Sequence, residues 1–211
     1  MRYYPDPAHP MMQAIPTLES ERLVLRAFRQ DDFEPMAAFF ADPVSATYGG
    51  PCARDEAWRK FAVYAGHWAL RGYGPWALEE KASGAYVGLA GLWFPEGWVE
   101  PEITWALVPG HHGKGYATEA ARRSLQSAYE DFGWLTAVSV VLSTNPASMA
   151  VAQRLGAQHE STIPFRAGQA HVYRHAGPAV QALPSPTLAA AQMHADAAVA
   201  KDLPPRYSRN R

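Results

Sequence analysis

Gly110, Gly113 and Gly115 crowd into "GHHGKGYATEA", with Lys114 between the last two and a helix-like run directly behind. Such spacing suits an anion. Glycines let a bulky phosphate approach the backbone. The unpaired N–H groups at a helix start point outward together, and the helix dipole favours negative charge. Two common nucleotide patterns fail here. A P-loop needs a glycine five residues before the Gly-Lys pair and a Ser or Thr after the lysine. Val108 stands at the first place and Gly115 at the second. The dinucleotide fingerprint Gly-x-Gly-x-x-Gly has Thr118 where its third glycine belongs. What remains is a diphosphate site between a strand end and a helix N-terminus. The run leading into it, "PEITWALV", carries a titratable carboxylate, Glu102.

The histidines suggest metal chemistry less well. His111 and His112 are adjacent, while His171 and His175 lie four apart on an apparent strand. That places the second pair on one face but about 13 Å apart. No cysteine or acid cluster joins them, so no metal site is expected.

Elements must position these groups. "ERLVLRAF" alternates as a strand. "DDFEPMAAFFADP" is a helix with Asp31 or Asp32 near its start, Pro35 in its first turn and Pro43 at its end. Ala57, Phe61, Tyr64 and Trp68 fall at helical spacing in "DEAWRKFAVYAGHWALRGYG", which Gly72 and Gly74 stop. Three hairpin-linked strands follow, "PWALEE", "AYVGLAGLWF" and "PEITWALV". In the third, Ile103, Trp105 and Leu107 oppose Glu102, Thr104 and Ala106. A helix from Tyr116 to about Phe132 would set Ala117, Ala121, Ala128 and Phe132 on one face. "AVSVVLS" reads as a central strand. "NPASMAVAQRLGA" is a helix with Asn145 as N-cap, Pro146 first inside it and Gly156 at its end. "QHESTIPF" and "AHVYRHA" close the sheet.

The expected order is β-α-α-β-β-β-α-β-α-β-β, an α/β (α+β mixed sheet) fold with helices on the faces. Residues 17–177 form the domain, 1–16 an N-terminal extension, and the Ala/Pro-rich stretch 178–211 a tail. The chain has 211 residues, a net charge of -1 and an apolar fraction of 48%. That balance predicts neither a nucleic-acid surface nor a membrane surface. No long apolar run predicts a membrane span. Cys52 is alone, so no internal disulfide forms, which fits a reducing, cytoplasmic setting.

"HHGKGYATEA" resembles the acyl-CoA pyrophosphate loop of the GNAT N-acetyltransferase superfamily. That loop runs Arg/Gln-x-x-Gly-x-Gly/Ala, matched by His112, Gly113, Lys114, Gly115, Tyr116 and Ala117, with His112 replacing the usual Arg or Gln. "SERLVLRAFRQDDF", "GYGPWALEEKASGAYVGLAGL" and "NPASMAVAQRLGA" extend the likeness to about residues 17–174. They are similar to the ribosomal-protein-alanine N-acetyltransferase-like branch, which acetylates ribosomal-protein N-termini.

The resemblance implies acetyl-CoA as cosubstrate, no metal, and direct attack of an amine on the thioester. The acceptor is a protein N-terminal α-amino group or a small-molecule amine, and the assembly a monomer or homodimer. The amine must lose a proton, and Glu102 is the implied base, directly or through water. Backbone around Leu107 and Val108 is the implied oxyanion donor, in a strand that bulges and splays to admit the pantetheine arm. Thr118 joins the loop at the helix start, and Asn145 contacts the cofactor arm. The family's tyrosine, seven residues after that asparagine, is Ala152 here, which leaves Ser148 as the candidate donor to the departing thiolate. Glu100 is next in line as base but is read as a hairpin turn. Tyr48, Tyr73, Trp76, Trp93, Trp98 and Trp105 are candidates for the acceptor wall, each with core packing as its default. The missing tyrosine leaves one rival class, a CoA-binding regulatory module without turnover.

Overall fold

Leu23 and Leu25 are fully buried while Val24 between them is not, the alternation of a half-buried strand. This strand runs Leu23–Arg26. A computed structural model describes residues 14–166 and 168–178 of the chain. The expected extension at 1–16 and tail at 178–211 therefore lie almost wholly outside the described residues.

The elements are β1 (Leu18–Glu19), β2 (Leu23–Arg26), α1 (Phe33–Ala41), α2 (Arg54–Arg71), β3 (Pro75–Glu80), β4 (Tyr86–Trp93), β5 (Glu102–Leu107), α3 (Tyr116–Glu130), β6 (Ala137–Leu142), α4 (Pro146–Arg154), β7 (Gln158–Phe165) and β8 (Gly168–His175). The order matches expectation with one addition. A two-residue strand, β1, precedes the expected first strand and pairs with it antiparallel. Two residues are too few to show a period. Between α1 and α2 the chain makes a 3-10 turn, Pro43–Tyr48, capped by the Asp42 carboxylate accepting from the Val44 N–H at 2.8 Å.

The eight strands form one sheet in the order β1-β2-β3-β4-β5-β6-β8-β7. Every neighbouring pair is antiparallel except β5 and β6, which are parallel and share a single register pair, Glu102↔Val138. Beyond that rung the two strands part. The register of β5 against β4 runs unbroken from Trp93↔Glu102 to Gly88↔Leu107. The bulge implied for this strand is thus missing from its pairing, and the opening comes from the divergence of β5 and β6. Ser139 fastens the split near its closed end. Its hydroxyl donates to the Ile103 carbonyl at 2.7 Å and receives the N–H of His175 Nε2 at 2.9 Å. Burial lowers the His175 pKa to about 4, so this imidazole is neutral.

Helices cover both faces. Ala106 and Val108 pack with Phe33, Met36, Phe40, Ala57 and Phe61 of α1 and α2. Ile103, Trp105 and Leu107 turn the other way, into the cluster that holds Ala120, Ala121 and Ala128 of α3 and Val151 and Ala152 of α4. Gly88 permits the close crossing of β4 and β5. It has φ +148°, and a Cβ there would lie 2.1 Å from the Ala106 carbonyl oxygen. A buried fork of Arg26 joins β2, β3 and the start of α1, donating to both Asp32 oxygens at 2.8 Å and to Glu79 at 2.6 Å.

Candidate active site

Where β5 and β6 separate, a cavity of about 350 Å³ opens, lined by Glu102, Thr104 and Trp105 of β5, Ser139 to Leu142 of β6, and Asn145 and Ser148 at the start of α4. Its far wall comes from the turn before α2 and from α2 itself, through Tyr48 and Tyr64. The β7–β8 turn closes it with Phe165 and Arg166.

Glu102 is the first residue of β5 and is 5% exposed. Its Oε2 accepts from Trp98 Nε1 at 2.5 Å. Burial pushes its pKa up to about 8, against the opposing pull of the Trp98 and Val140 N–H groups and the Arg166 charge. Glu100 points elsewhere, into an ion pair with Arg174 at 2.8 Å.

Sheet geometry distinguishes Leu107 from Val108. The Val108 N–H donates to the Val87 carbonyl of the neighbouring chain segment at 3.0 Å. Backbone polarity alternates along a strand, so the Leu107 amide faces the β6 side, where the ladder has ended. The Leu107 carbonyl accepts from His112 Nε2 at 2.9 Å, which fixes the proton on that nitrogen. His112 therefore braces the end of β5.

The glycine loop connects β5 to α3. Gly110, Gly113 and Gly115 have φ of +87°, +76° and +85°, a left-handed backbone that favours glycine. A Cβ on Gly113 would meet nothing within 4 Å, so the loop presents open space beside the first amides of α3. Tyr116, Ala117 and Thr118 begin that helix, and their N–H groups have no acceptor within it. An acid in this first turn, Glu119, would repel an anion. Arg22 neutralises it with an ion pair at 2.7 Å. Another guanidinium nitrogen of Arg22 donates to the Lys114 carbonyl at 2.9 Å, and the Tyr116 hydroxyl donates to Glu80. The loop is thus tied from outside, leaving its amides outward. A diphosphate fits this cradle.

Asn145 caps α4, its side-chain oxygen accepting from the Ser148 N–H at 3.0 Å. Ser148 is buried, and its hydroxyl receives the Trp105 Nε1–H at 3.3 Å. The Tyr48 hydroxyl lies 3.4 Å from the same oxygen. Burial raises the pKa of Tyr48, so the phenol stays protonated. Sequence reasoning placed Tyr48 among wall candidates but assigned it no chemical role. Nothing in local spacing links it to Ser148, 100 residues away. Of the other aromatic candidates, Trp93, Trp98 and Trp105 line the cavity, while Trp76 and Tyr73 are buried in the core. Tyr64, Phe165 and Arg166 line it as well and were missed. A helical heptad reads Tyr64 as core, and a hairpin tip carries no periodic signal.

Among the described residues no group of three or more His, Cys, Asp or Glu side chains gathers as metal ligands would. No helix there is long and apolar enough to cross a membrane.

Comparison with known proteins agrees with this arrangement. The Acetyltransferase (GNAT) domain family matches residues 22–158. The YkkB protein of Bacillus subtilis (strain 168), itself uncharacterized, is 29% identical over 161 residues, 72% of this chain and 91% of that protein. The crystal structure of an acetyltransferase from Agrobacterium tumefaciens str. C58 is 34% identical, with a TM-score of 0.72 over 79% of this chain and 98% of that one. A spermidine N-acetyltransferase from Vibrio cholerae, solved in complex with CoA and spermine, shares the fold at 17% identity, with a TM-score of 0.58 over 72% of this chain and 93% of that one. The mixed eight-stranded sheet and the match over most of the described residues lead to one conclusion: the chain belongs to the acetyltransferase (GNAT) family.

Proposed function

We propose that the protein is an acetyl-CoA-dependent N-acetyltransferase that acts on a primary amine. The observation that carries this reading is Glu102, a buried carboxyl group with a pKa of about 8 that lines the cavity where β5 and β6 part. A general base works best with a pKa near the working pH. An α-amino group titrates at about 7.7–8.0, so Glu102 is matched to removing its proton. A lysine amine at about 10.4 is a poorer match.

Acetyl-CoA, when bound, supplies the activated acetyl thioester. The residues then divide the remaining work. The amides of Gly113 to Thr118 receive the diphosphate, with Lys114 as the nearby cation. His112 holds the Leu107 carbonyl and so the end of β5. The Leu107 N–H, facing the gap, is the donor placed for developing oxyanion charge, while Val108 anchors the strand to its neighbour. Asn145 sets the start of α4 and with it Ser148. Tyr48 and Ser148 together offer a hydrogen bond to the departing sulfur, a role for which position 152 has only alanine. Glu102 takes the amine proton directly or through one water.

The acceptor is either a protein N-terminus or a small amine. Resemblance to the ribosomal-protein branch supports the first, and the spermidine enzyme of the same fold supports the second. Release of CoA thiol, measured with peptides and small amines beside calorimetric binding of acetyl-CoA, tests the proposal. Turnover with at least one amine is expected. Tight acetyl-CoA binding with no thiol release from any acceptor would refute it and favour a CoA-binding regulatory module.

A further inference from the structure

Five charged side chains line the cavity: Glu56, Arg59, Lys60, Glu102 and Arg166. Two of the cations are already paired along α2, Arg59 with Asp55 at 2.8 Å and Lys60 with Glu56 at 3.3 Å. Glu102 is held largely neutral at pH 7 by burial. Arg166 is left, with no ion-pair partner among the described residues.

Its placement is built. Arg166 occupies the β7–β8 turn with φ +52°, a conformation that few non-glycine residues adopt. Its guanidinium lies over the Phe165 ring at 5.3 Å. The same group rests against Gly49, at the end of the 3-10 turn that carries Tyr48. A Cβ on Gly49 would sit 2.8 Å from one of its nitrogens. The missing side chain at Gly49 makes the room. Burial raises the pKa of both Glu102 and Tyr64, and the Arg166 charge opposes that rise at each, which places it electrostatically within reach of both. Aromatic side chains share this lining, among them Tyr64, Trp93, Trp98 and Phe165.

We propose that Arg166 selects the acceptor, an amine carrying a carboxylate on a small apolar or aromatic body, with the amine presented to Glu102 and the carboxylate to Arg166. This rests on the transferase reading above and narrows it. A guanidinium binds a carboxylate through two parallel N–H bonds, which fixes orientation as well as charge. A polyamine meets the opposite situation, since its cations approach an unpaired arginine. A peptide N-terminus with no acidic side chain beside it offers Arg166 no carboxylate.

The test uses the full chain and paired acceptors, phenylalanine with phenylalaninamide and 4-(aminomethyl)benzoate with its carboxamide, beside spermidine and a five-residue peptide. The readout is kcat/KM from CoA thiol release, for the parent, Arg166→Gln and Arg166→Lys. In the parent a carboxylate amine is the best acceptor. Arg166→Gln lowers the carboxylate-to-carboxamide preference by roughly 10- to 100-fold, the range of one charge-assisted contact, chiefly through KM. Arg166→Lys recovers part of it. Comparing the preference between proteins cancels the different basicities of the amines. If Arg166 acted only by way of Glu102, both members of a pair would fall alike and the pH profile alone would move. That result, or a preference of the parent for spermidine, the peptide or the carboxamides, overturns the proposal and leaves the transferase reading standing. Acetyl-CoA affinity measured on all three proteins confirms folding. Binding without turnover of any acceptor removes the transferase reading itself.

Discussion

Replacing Glu102 by Gln separates two consequences of burying a carboxyl group in the cavity. In the open chain this acid ionises near 4.5, and in the folded protein at about 8, because burial disfavours its charged form. Between those values the folded state holds a proton that the unfolded state has released. Folding stability from this group is therefore complete below the lower value and is lost as pH rises through the upper one. At about 1.36 kcal/mol per pH unit, the interval amounts to roughly 5 kcal/mol. Glutamine cannot ionise, yet its amide oxygen still accepts from Trp98 Nε1. Urea unfolding of both proteins at pH 5, 6.5 and 8.5 measures the difference. The variant should match the parent near pH 5 and exceed it by a few kcal/mol at pH 8.5. Subtracting the two profiles removes groups common to both, such as His175. Turnover should move the opposite way, falling by roughly 10²- to 10⁴-fold as expected for loss of a general base. With an acceptor amine that titrates well above 8, the parent's kcat/KM should show a limb near pH 8 that the variant's lacks. A stability difference that stays flat from pH 5 to 8.5 would show that Glu102 ionises normally, and the base assignment would go with it.

Three further substitutions probe the frame around this group. Gly115→Glu places a carboxylate at the first turn of α3 on a residue with φ +85°. It should weaken acetyl-CoA binding by roughly 100-fold, about 2.7 kcal/mol, with the fold monitored by circular dichroism; unchanged calorimetric affinity would exclude this loop as the diphosphate site. Gly88→Ala pushes a methyl group against the Ala106 carbonyl. Strand strain of about 1–3 kcal/mol should lower the melting temperature. Because β5 must shift, acetyl-CoA affinity should fall too, whereas a drop in stability alone would separate that crossing from the site. Asp32→Ala strips the buried Arg26 of its bidentate partner and should cost about 3–5 kcal/mol in denaturant unfolding. A cost below 1 kcal/mol would mean that Glu79 alone holds the arginine.

The sequence was most informative where a single local rule governs the chain. Asn145, Pro146 and Gly156 mark the two ends of α4 because caps and left-handed C-terminal glycines act over a few residues. Ala121 and Ala128 are buried as helical spacing requires. The glycine loop was legible for the same reason, since its chemistry lies in the backbone of contiguous residues. The cavity wall was not. Trp76 and Trp93 have similar sequence surroundings, yet one is core and the other faces the cavity, and only the packing of α2 over the sheet distinguishes them. Tyr48 and Arg166 reach the site from a 3-10 turn and a hairpin tip, segments without periodicity. The short β1 escaped detection for want of length, and the straight register of β5 differs from the bulge that resemblance implied.

The single rung between β5 and β6 has a mechanical meaning. The sheet is two half-sheets, β1 to β5 and β6 to β8, stitched at Glu102↔Val138 and fastened beside that rung by the Ser139 hydroxyl. Past that stitch, the facing backbone edges have no partner strand. Such an edge is a seam that an extended substrate arm, with amides of its own, can close. Occupancy of the seam and cohesion between the halves are then one equilibrium. A ligand that paired along this edge would stabilise the folded chain by mass action.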